Sequence, residues 1–352
     1  MTWRHAAGAI GPAAAAYDVD IVILSYDRPA ETVAAIGSAL AQAGVTRHVW
    51  VIDQGSAPAA LACVAAAVAG RADATLVALD RNAGVAAGRN LGSALGRGRA
   101  IAALDNDAEF SGPDLLHRAL AALDTDPRLA AIGFRILGED GTTDDPGAWG
   151  YPAALLPRSA ERFAAVTFIG AGHLIRRAAW DDCGGYDPRL FFTWEEYDFA
   201  RRAIARCWRL AYHGDLCVRH KVSAERRVAW SRDRWFFSVR NRLYIARKWG
   251  AGWPSLAPRC AGYLLRGALH GGFCQTLRAI LAAHRMAAGI TPARLGPAAR
   301  AYLAAHDQAH RGPWLARLRR EIWRPIGVAP GRAPRRSRAR SSSPKIGGLS
   351  SR

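Results

Sequence analysis

Two carboxylates, Asp105 and Asp107, close the apolar run Ala-Ile-Ala-Ala-Leu at 100–104. A strand ending there holds both acids at its terminus, and hard divalent cations take such oxygen ligands while keeping room for phosphate oxygens. The pair suits the diphosphate of a nucleotide, although Asp-x-Asp is also a common surface-loop triplet. His220 ends a second run, Leu-Cys-Val-Arg at 216–219. A neutral imidazole there would complete a metal's coordination or serve a structural role.

A third group of acids lies in Phe191-Phe192-Thr193-Trp194-Glu195-Glu196-Tyr197-Asp198-Phe199-Ala200-Arg201-Arg202. Three carboxylates at a helix start suit the positive end of its dipole, and Asp198 with Arg202 has the i, i+4 spacing of an ion pair. An ordinary acidic first turn explains that much. The aromatic residues just before the acids would also bury them in part, which raises a carboxyl pKa toward values useful to a general base. Glu196, Glu195 and Asp198 are therefore the candidate catalytic group. Gly170-Ala171-Gly172 permits close backbone approach to a ligand or marks a bulge, and Gly184-Gly185-Tyr186-Asp187-Pro188 reads as the turn that positions the acidic helix.

These groups need a scaffold that gathers strand ends. Residues 19–24 are an apolar run ending in Ser25-Tyr26-Asp27-Arg28, with Pro29 in the place of a first helical residue. The alternation then repeats: helix over 30–43, strand over 48–52 ending in Asp53, helix over 58–69, strand over 74–79, helix over 84–96, strand over 100–104, helix over 113–123 and strand over 129–136. Such spacing predicts βαβ units, hence an α/β fold with a mostly parallel sheet and helices on both faces. Ligands in such sheets bind beyond the carboxyl ends of the strands, and polar residues gather there at 25–28, 53–56, 81–84 and 105–107. The Gly-, Asp- and Pro-rich stretch 138–162 reads as a loop or lid. Strand pieces are expected near 164–169, 172–176, 209–213 and 216–219. The expected organisation is a flexible segment over 1–17, a catalytic domain over 18–225 with its boundary near 222–230, a helical region over 226–310 and a basic, disordered tail over 311–352.

The 352 residues carry 48 Lys and Arg against 29 Asp and Glu, a net charge of +19, with 50% apolar and 22% charged residues. A fibrous chain, or one disordered throughout, is excluded by that balance. No arginine-led apolar leader precedes Asp18 and Asp20, and no uncharged run reaches the roughly 18 residues that a spanning helix needs. A cytoplasmic location follows as an expectation. Six cysteines without a CxxC pair argue against a zinc or dithiol site. From Arg311 onward twelve Arg and Lys face Glu321 alone, a block suited to anionic lipid or another polyanion. Beyond 229, aromatic and leucine side chains interleave with arginines, as in a helix at a membrane interface or one packed on the sheet.

Read in order, Ile-Val-Ile-Leu-Ser-Tyr-Asp-Arg-Pro at 21–29, Val-Ile-Asp-Gln-Gly-Ser at 51–56, Asn82-x-Gly84 through Gly88-Arg89-Asn90, Leu-Asp-Asn-Asp at 104–107, Gly-Gly-Tyr-Asp at 184–187 and Trp-Glu-Glu-Tyr-Asp-Phe-Ala-Arg-Arg at 194–202, closed by His220, form a series. The series resembles the inverting, nucleotide-sugar-dependent glycosyltransferases of family 2, which have the GT-A fold. It spans about residues 19–222. The resemblance implies that Ser25 and Arg28 border the nucleotide, that Asp53 holds the base, and that Asn82, Gly84 and Arg89 line the nucleotide-sugar side. Asp105 would face ribose or metal, Asp107 would bind Mg2+ or Mn2+ on the diphosphate, and His220 matches a third metal ligand of some members. The family's base is usually the Asp of a Glu-Asp pair, where this chain has Glu196, with Glu195 competing. Arg201 or Arg202 would steady the diphosphate or lie exposed.

A nucleoside-diphosphate sugar donor and a glycan or lipid-linked acceptor are the implied partners, with peripheral membrane association through the helices and tail. Processive relatives carry Gln-x-x-Arg-Trp, whereas Ser231-Arg232-Asp233-Arg234-Trp235 has serine at the first place, which favours single transfer. The segment Arg240-Asn241-Arg242-Leu243-Tyr244 is similar to the tails of rhamnosyltransferase-like members. Three rivals stand beside this reading. A nucleotidyltransferase needs a Gly-rich phosphate loop, which Ser-Tyr-Asp-Arg-Pro is not. A nucleic-acid-binding protein would suit +19, but the acidic strand ends would repel a polyanion. A binding subunit with the fold and no turnover is the third.

Overall fold

Alternating apolar and polar segments fold as β2 (Val19–Ser25), α1 (Pro29–Leu40), β3 (Arg47–Asp53), α2 (Pro58–Val68), β4 (Ala74–Leu79), α3 (Val85–Leu95), β5 (Ala100–Leu104), β6 (Ala108–Phe110), α4 (Leu115–Asp124) and β7 (Leu129–Leu137). β1 (Trp3–Gly8) precedes them. After β7 come β8 (Arg162–Ala165), β9 (Gly172–Arg176), α5 (Arg177–Cys183), α6 (Glu195–Ala205) and β10 (Arg209–His220). Then come α7 (Ser231–Lys248), α8 (Trp253–Leu269), α9 (Phe273–Met286) and α10 (Pro297–His306). The computed structural model describes residues 2–12, 16–221 and 231–313, with Leu315, Arg319, Glu321 and Trp323 beyond. The expected boundary at 222–230 and nearly all of the basic tail past 313 lie outside the described residues.

Sheet strands covered on both faces read as continuous apolar runs, and here successive residues serve two cores. Ile21, Ile23, Val49, Val51 and Leu76 pack with Ile36, Val64 and Leu116 of α1, α2 and α4. Their neighbours Val22, Trp50, Ile52 and Val77 pack on the opposite face with Ala86, Trp180 and Phe199 of α3, α5 and α6. Pro29 and Pro58 start α1 and α2 at a position where the missing N–H is not needed.

The strand order is β1-β4-β3-β2-β5-β9-β7-β10-β6, with β8 on β10. The run β4-β3-β2-β5 is parallel, as the alternation predicts. The rest is mixed, because β9 enters antiparallel between β5 and β7. β10 runs parallel to β7, so its carboxyl end shares an edge with those of β2, β3 and β5. There β10 pairs antiparallel with β6 and places His220 opposite Ala108, beside Asp107.

Two expectations are corrected. The N-terminal segment is not flexible throughout: β1 pairs antiparallel with the edge of β4, through backbone bonds that no apolar periodicity announces. The two strand pieces after 209 are one strand, β10, whose register shifts between His213 and Cys217. α5 lies in a stretch, 177–183, for which no element was expected; Gly184 ends it in a left-handed cap, and the turn expected over 184–188 follows. Part of the helical C-terminal region packs on the sheet, one of the two readings its sequence left open. Ala299 and Leu303 of α10 join the second core, and the Tyr302 hydroxyl donates to the carbonyls of Ala165 and Leu210.

Candidate active site

The carboxyl edge of the sheet collects three loops. After β2, Asp27 Oδ1 accepts from the Ala57 amide at 2.8 Å, and the Asp27 amide donates to the Ser56 hydroxyl at 3.0 Å. Asp53, buried at the end of β3, accepts from the amides of Gly55 and Ser56 and from the Ser56 hydroxyl. Its carboxylate thus shapes this loop, in an Asx-type turn. Ser25 is buried beside Thr32. After β4, Asn82 accepts from the Gly84 amide at 2.9 Å. Gly84 has φ +87°, and a Cβ there would lie 2.4 Å from the Phe191 carbonyl oxygen, so no other residue fits. Gln54, which sequence reasoning passed over within its own motif, binds both sides of this turn through the Ala83 amide and the Gly84 carbonyl.

Beyond β5, Asp105, Asp107 and His220 converge: ligand atoms of the three lie within 4.8 Å of one another. His220 Nε2 is 3.3 Å from Asp107 Oδ1, and Nδ1 is 2.9 Å from Asp145 Oδ2. Asp145 belongs to the stretch read as a loop or lid, and no local pattern marked it. A carboxylate behind the outer nitrogen of a histidine fixes the ring and frees the inner nitrogen for a metal. Arg28 lies 2.5 Å from Asp107 Oδ2. Burial works against charge on Asp107, but His220 and then Arg28 outweigh it and hold its carboxyl below the usual range. On His220 burial opposes charge, and the hydrogen bonds to Asp107 and Asp145 overcome it, pushing the ring up to about 9. The two aspartates therefore draw positive charge into this edge, and two hard oxygen donors with one imidazole fit Mg2+ or Mn2+.

Arg89 is almost fully buried, and joins this cluster to the acidic helix. Its Nη2 donates to Asp105 Oδ1 at 2.6 Å and to the Gly170 carbonyl at 2.8 Å, while Nε and Nη1 have no partner among the described residues. Beneath it, His173 bonds to the Tyr186 hydroxyl and the Ile169 carbonyl. Burial and then the Arg89 charge push His173 down to about 3, so it stays neutral. Asn90 exchanges two hydrogen bonds with the Tyr186 backbone, which ties the Gly-Gly-Tyr-Asp turn to α3.

At the start of α6, Glu195 is buried and Glu196 partly exposed toward the site. Burial dominates both. It pushes Glu196 up to about 7, with Arg89 opposing and Asp105 adding. Burial and then the charge of Glu196 raise Glu195 well above the carboxylate range, and its Oε2 has no partner among the described residues. A Cβ on Gly170 would lie 2.2 Å from Glu196 Oε1. The Gly170 backbone thus forms the wall against which that carboxyl rests. The two residues before the pair, Thr193 and Trp194, have φ of +66° and +73°, a strained conformation for side chains of this size. Asn241 of α7 holds it by donating to the carbonyls of Phe192 and Thr193.

Two expected site residues are placed elsewhere. Asp198 turns away from the carboxyl edge: it is fully buried, binds Arg202 at 2.9 Å and meets Lys248 of α7 through both oxygens. Arg202 spends its other nitrogens on the carbonyls of Cys183 and Gly185, so it braces α6 and does not reach toward a diphosphate. The i, i+4 spacing was thus the ion pair itself. Lys248 also binds Asp187, which accepts from Arg189 and Tyr244 as well.

Residues 20–184 match the family model described as "Glycosyl transferase family 2". A stretch of 125 residues is 42% identical to the succinoglycan biosynthesis protein ExoO of Rhizobium meliloti (strain 1021), covering 35% of this chain and 35% of that protein. The chain therefore spans about a third of the length of that curated relative. The mannosyltransferase PcManGT from Pyrobaculum calidifontis, solved in complex with GDP-Man and Mn2+, superposes with a TM-score of 0.52 at 19% identity over 90% of each chain, which shows a shared GT-A fold.

Proposed function

We propose, from the premise that residues 20–184 form a glycosyltransferase family 2 domain, that this chain moves a sugar from a nucleoside-diphosphate donor to an acceptor hydroxyl with inversion at the anomeric carbon. One observation carries the reading: a carboxyl held near neutral pKa, Glu196, stands across the buried Arg89 from an Asp-Asp-His cluster at the same sheet edge. The loops at 25–28, 53–57 and 81–84 would receive the nucleotide, as ligands in such sheets bind at the carboxyl ends. Asp105, Asp107 and His220 would hold Mg2+ or Mn2+. Once bound, such a cation stabilises negative charge on the diphosphate as a Lewis acid.

The chain's own residues supply the rest. Glu196, ionised in part at neutral pH, accepts the proton of the acceptor hydroxyl as that oxygen bonds to the anomeric carbon. The carbon–oxygen bond to the diphosphate breaks in the same displacement, and its electron pair leaves with the nucleotide. Arg89, held by Asp105 and the Gly170 carbonyl, would keep a fixed positive charge between the Asp-Asp-His cluster and Glu196. Glu195 stays protonated and spares the site a second charge.

ExoO is named for succinoglycan biosynthesis, and a role in polysaccharide synthesis is the biological setting we propose. A glycan or lipid-linked acceptor and attachment to the inner face of the plasma membrane belong to the same proposal. Among the described residues no helix is long and apolar enough to cross a membrane. Exposed Phe273, Leu277 and Leu281 follow one face of α9, with Leu265 and Leu269 on α8, which supports interfacial attachment.

Thermal melts with a panel of nucleoside diphosphates, with and without Mn2+, test the donor reading. We expect a shift for one base that requires the metal and is absent in Asp107→Ala. Glu196→Gln should keep that shift and lose at least about 100-fold in turnover, in the range general bases contribute. Wild-type turnover in Glu196→Gln would refute the assignment of the base.

A further inference from the structure

We propose that a cavity on the outer face of α6 is a second anion site, one that takes a phosphate or diphosphate group. It encloses about 370 Å3 between α6, α7 and α8. Four arginines line it, Arg201, Arg242, Arg259 and Arg311, together with Trp194, Tyr197 and Trp249, and no carboxylate among the described residues does. Acids nearby are already engaged: Asp307 binds Arg311, and Glu321 is shared by Arg242 and Arg266. No ion pair among the described residues involves Arg201, which meets neutral groups: the Tyr197 hydroxyl at 3.0 Å and the Trp249 ring at 5.4 Å. Arg201 Nε and Trp249 Nε1 are buried donors with no acceptor among the described residues.

A cavity whose unmet polar atoms are donors and whose charges are guanidinium forks asks for an anion rich in acceptors. Phosphate geometry matches such forks. The aromatic walls add contact area for an apolar chain or sugar ring carried by the phosphate. The site is distinct from the sheet edge. Trp194, Tyr197 and Arg201 share one face of α6, while Glu195, Asp198 and Arg202 turn toward the sheet or the ion-pair network. An acceptor anchored here would lie beside the turn that carries Glu196. That extension rests on the transferase reading, whereas binding itself does not.

Calorimetric titration of inorganic pyrophosphate into the full chain, with a chelator present, isolates this cavity, because the metal-free sheet edge turns Asp105 and Asp107 toward any anion. Saturable binding is expected in the wild type. It should weaken at least about tenfold in Arg201→Gln and in Arg259→Gln, the latter an exposed helix position whose change leaves the fold intact, a loss equivalent to about 1.4 kcal/mol. Absence of saturable binding, or equal affinity in wild type and both variants, overturns the proposal. Geranyl diphosphate separates the sources: tighter binding than pyrophosphate, weakened in Trp249→Ala, supports a lipid-borne diphosphate, and equal affinity supports a soluble one. Retained pyrophosphate binding without sugar transfer counts against the transferase reading alone; transfer without pyrophosphate binding counts against this site alone.

Discussion

Glu196 has a stability consequence as well as a chemical one. Its carboxyl rises from 4.5 to about 7 on burial, so the folded state holds this proton more tightly than the unfolded chain. The associated stability is present below about pH 4.5 and is lost as pH rises through about 7, at most about 3 kcal/mol. Glu196→Gln should therefore melt higher than the wild type at pH 8 and match it near pH 4, while its turnover is lost. For the wild type, kcat/KM should climb with pH through about 7 as the base ionises. Gly170→Ala offers an independent check, since the added methyl would come within 2.2 Å of Glu196 Oε1 and push that carboxyl aside. Turnover should fall about tenfold or more with the metal-dependent donor shift retained. Sequence alone reached Asp105, Asp107, His220 and the glutamates because each ends a strand or opens a helix. It could not separate Asp198 from its neighbours, since acids one turn apart look alike until packing sends one outward and one into an ion pair. Asp145 and Asn241 had no local signal, because their partners lie 75 and 49 residues away.

At the level of elements, α6 works because α7 steadies it. The left-handed residues Thr193 and Trp194 aim the first turn, and Asn241 holds their carbonyls. Asn241→Ala should leave both carbonyls short of a donor, cost about 1–3 kcal/mol, and lower kcat more than it raises donor KM. Enzyme kinetics beside chemical denaturation would check both. Lys248→Met would leave Asp187 and Asp198 sharing too little positive charge in a buried place, and a drop of about 3–5 kcal/mol is expected. Apart from β1 and the three-residue β6, the helices and strands of the sheet were legible up to about residue 137 because strand runs and proline-led helices alternate there. After that the pattern broke down for physical reasons. β9 is inserted against the parallel direction, β10 absorbs a register shift, and β8 is a short edge strand.

For the whole molecule, β1 and the C-terminal helices set what can be removed. β1 covers an edge of β4 whose backbone groups would otherwise be open to pairing with another chain. Deleting residues 1–9 should lower the melting temperature and promote association, which light scattering would detect; a deletion as stable and monomeric as the wild type would show the strand to be dispensable. Nothing in Trp-Arg-His-Ala-Ala-Gly foretold this, because an edge strand needs only backbone partners. Lys248 has the widest consequence. It sits on α7 yet neutralises aspartates from the Gly-Gly-Tyr-Asp turn and from α6. A chimera that kept the half carrying the family match and borrowed another protein's C-terminal helices would import no such cation unless a basic residue happened to fall at that spot. Grafting must therefore carry the lysine along or replace both aspartates together, and the C-terminal helices cannot be exchanged in this scaffold by cutting where the matched family segment stops.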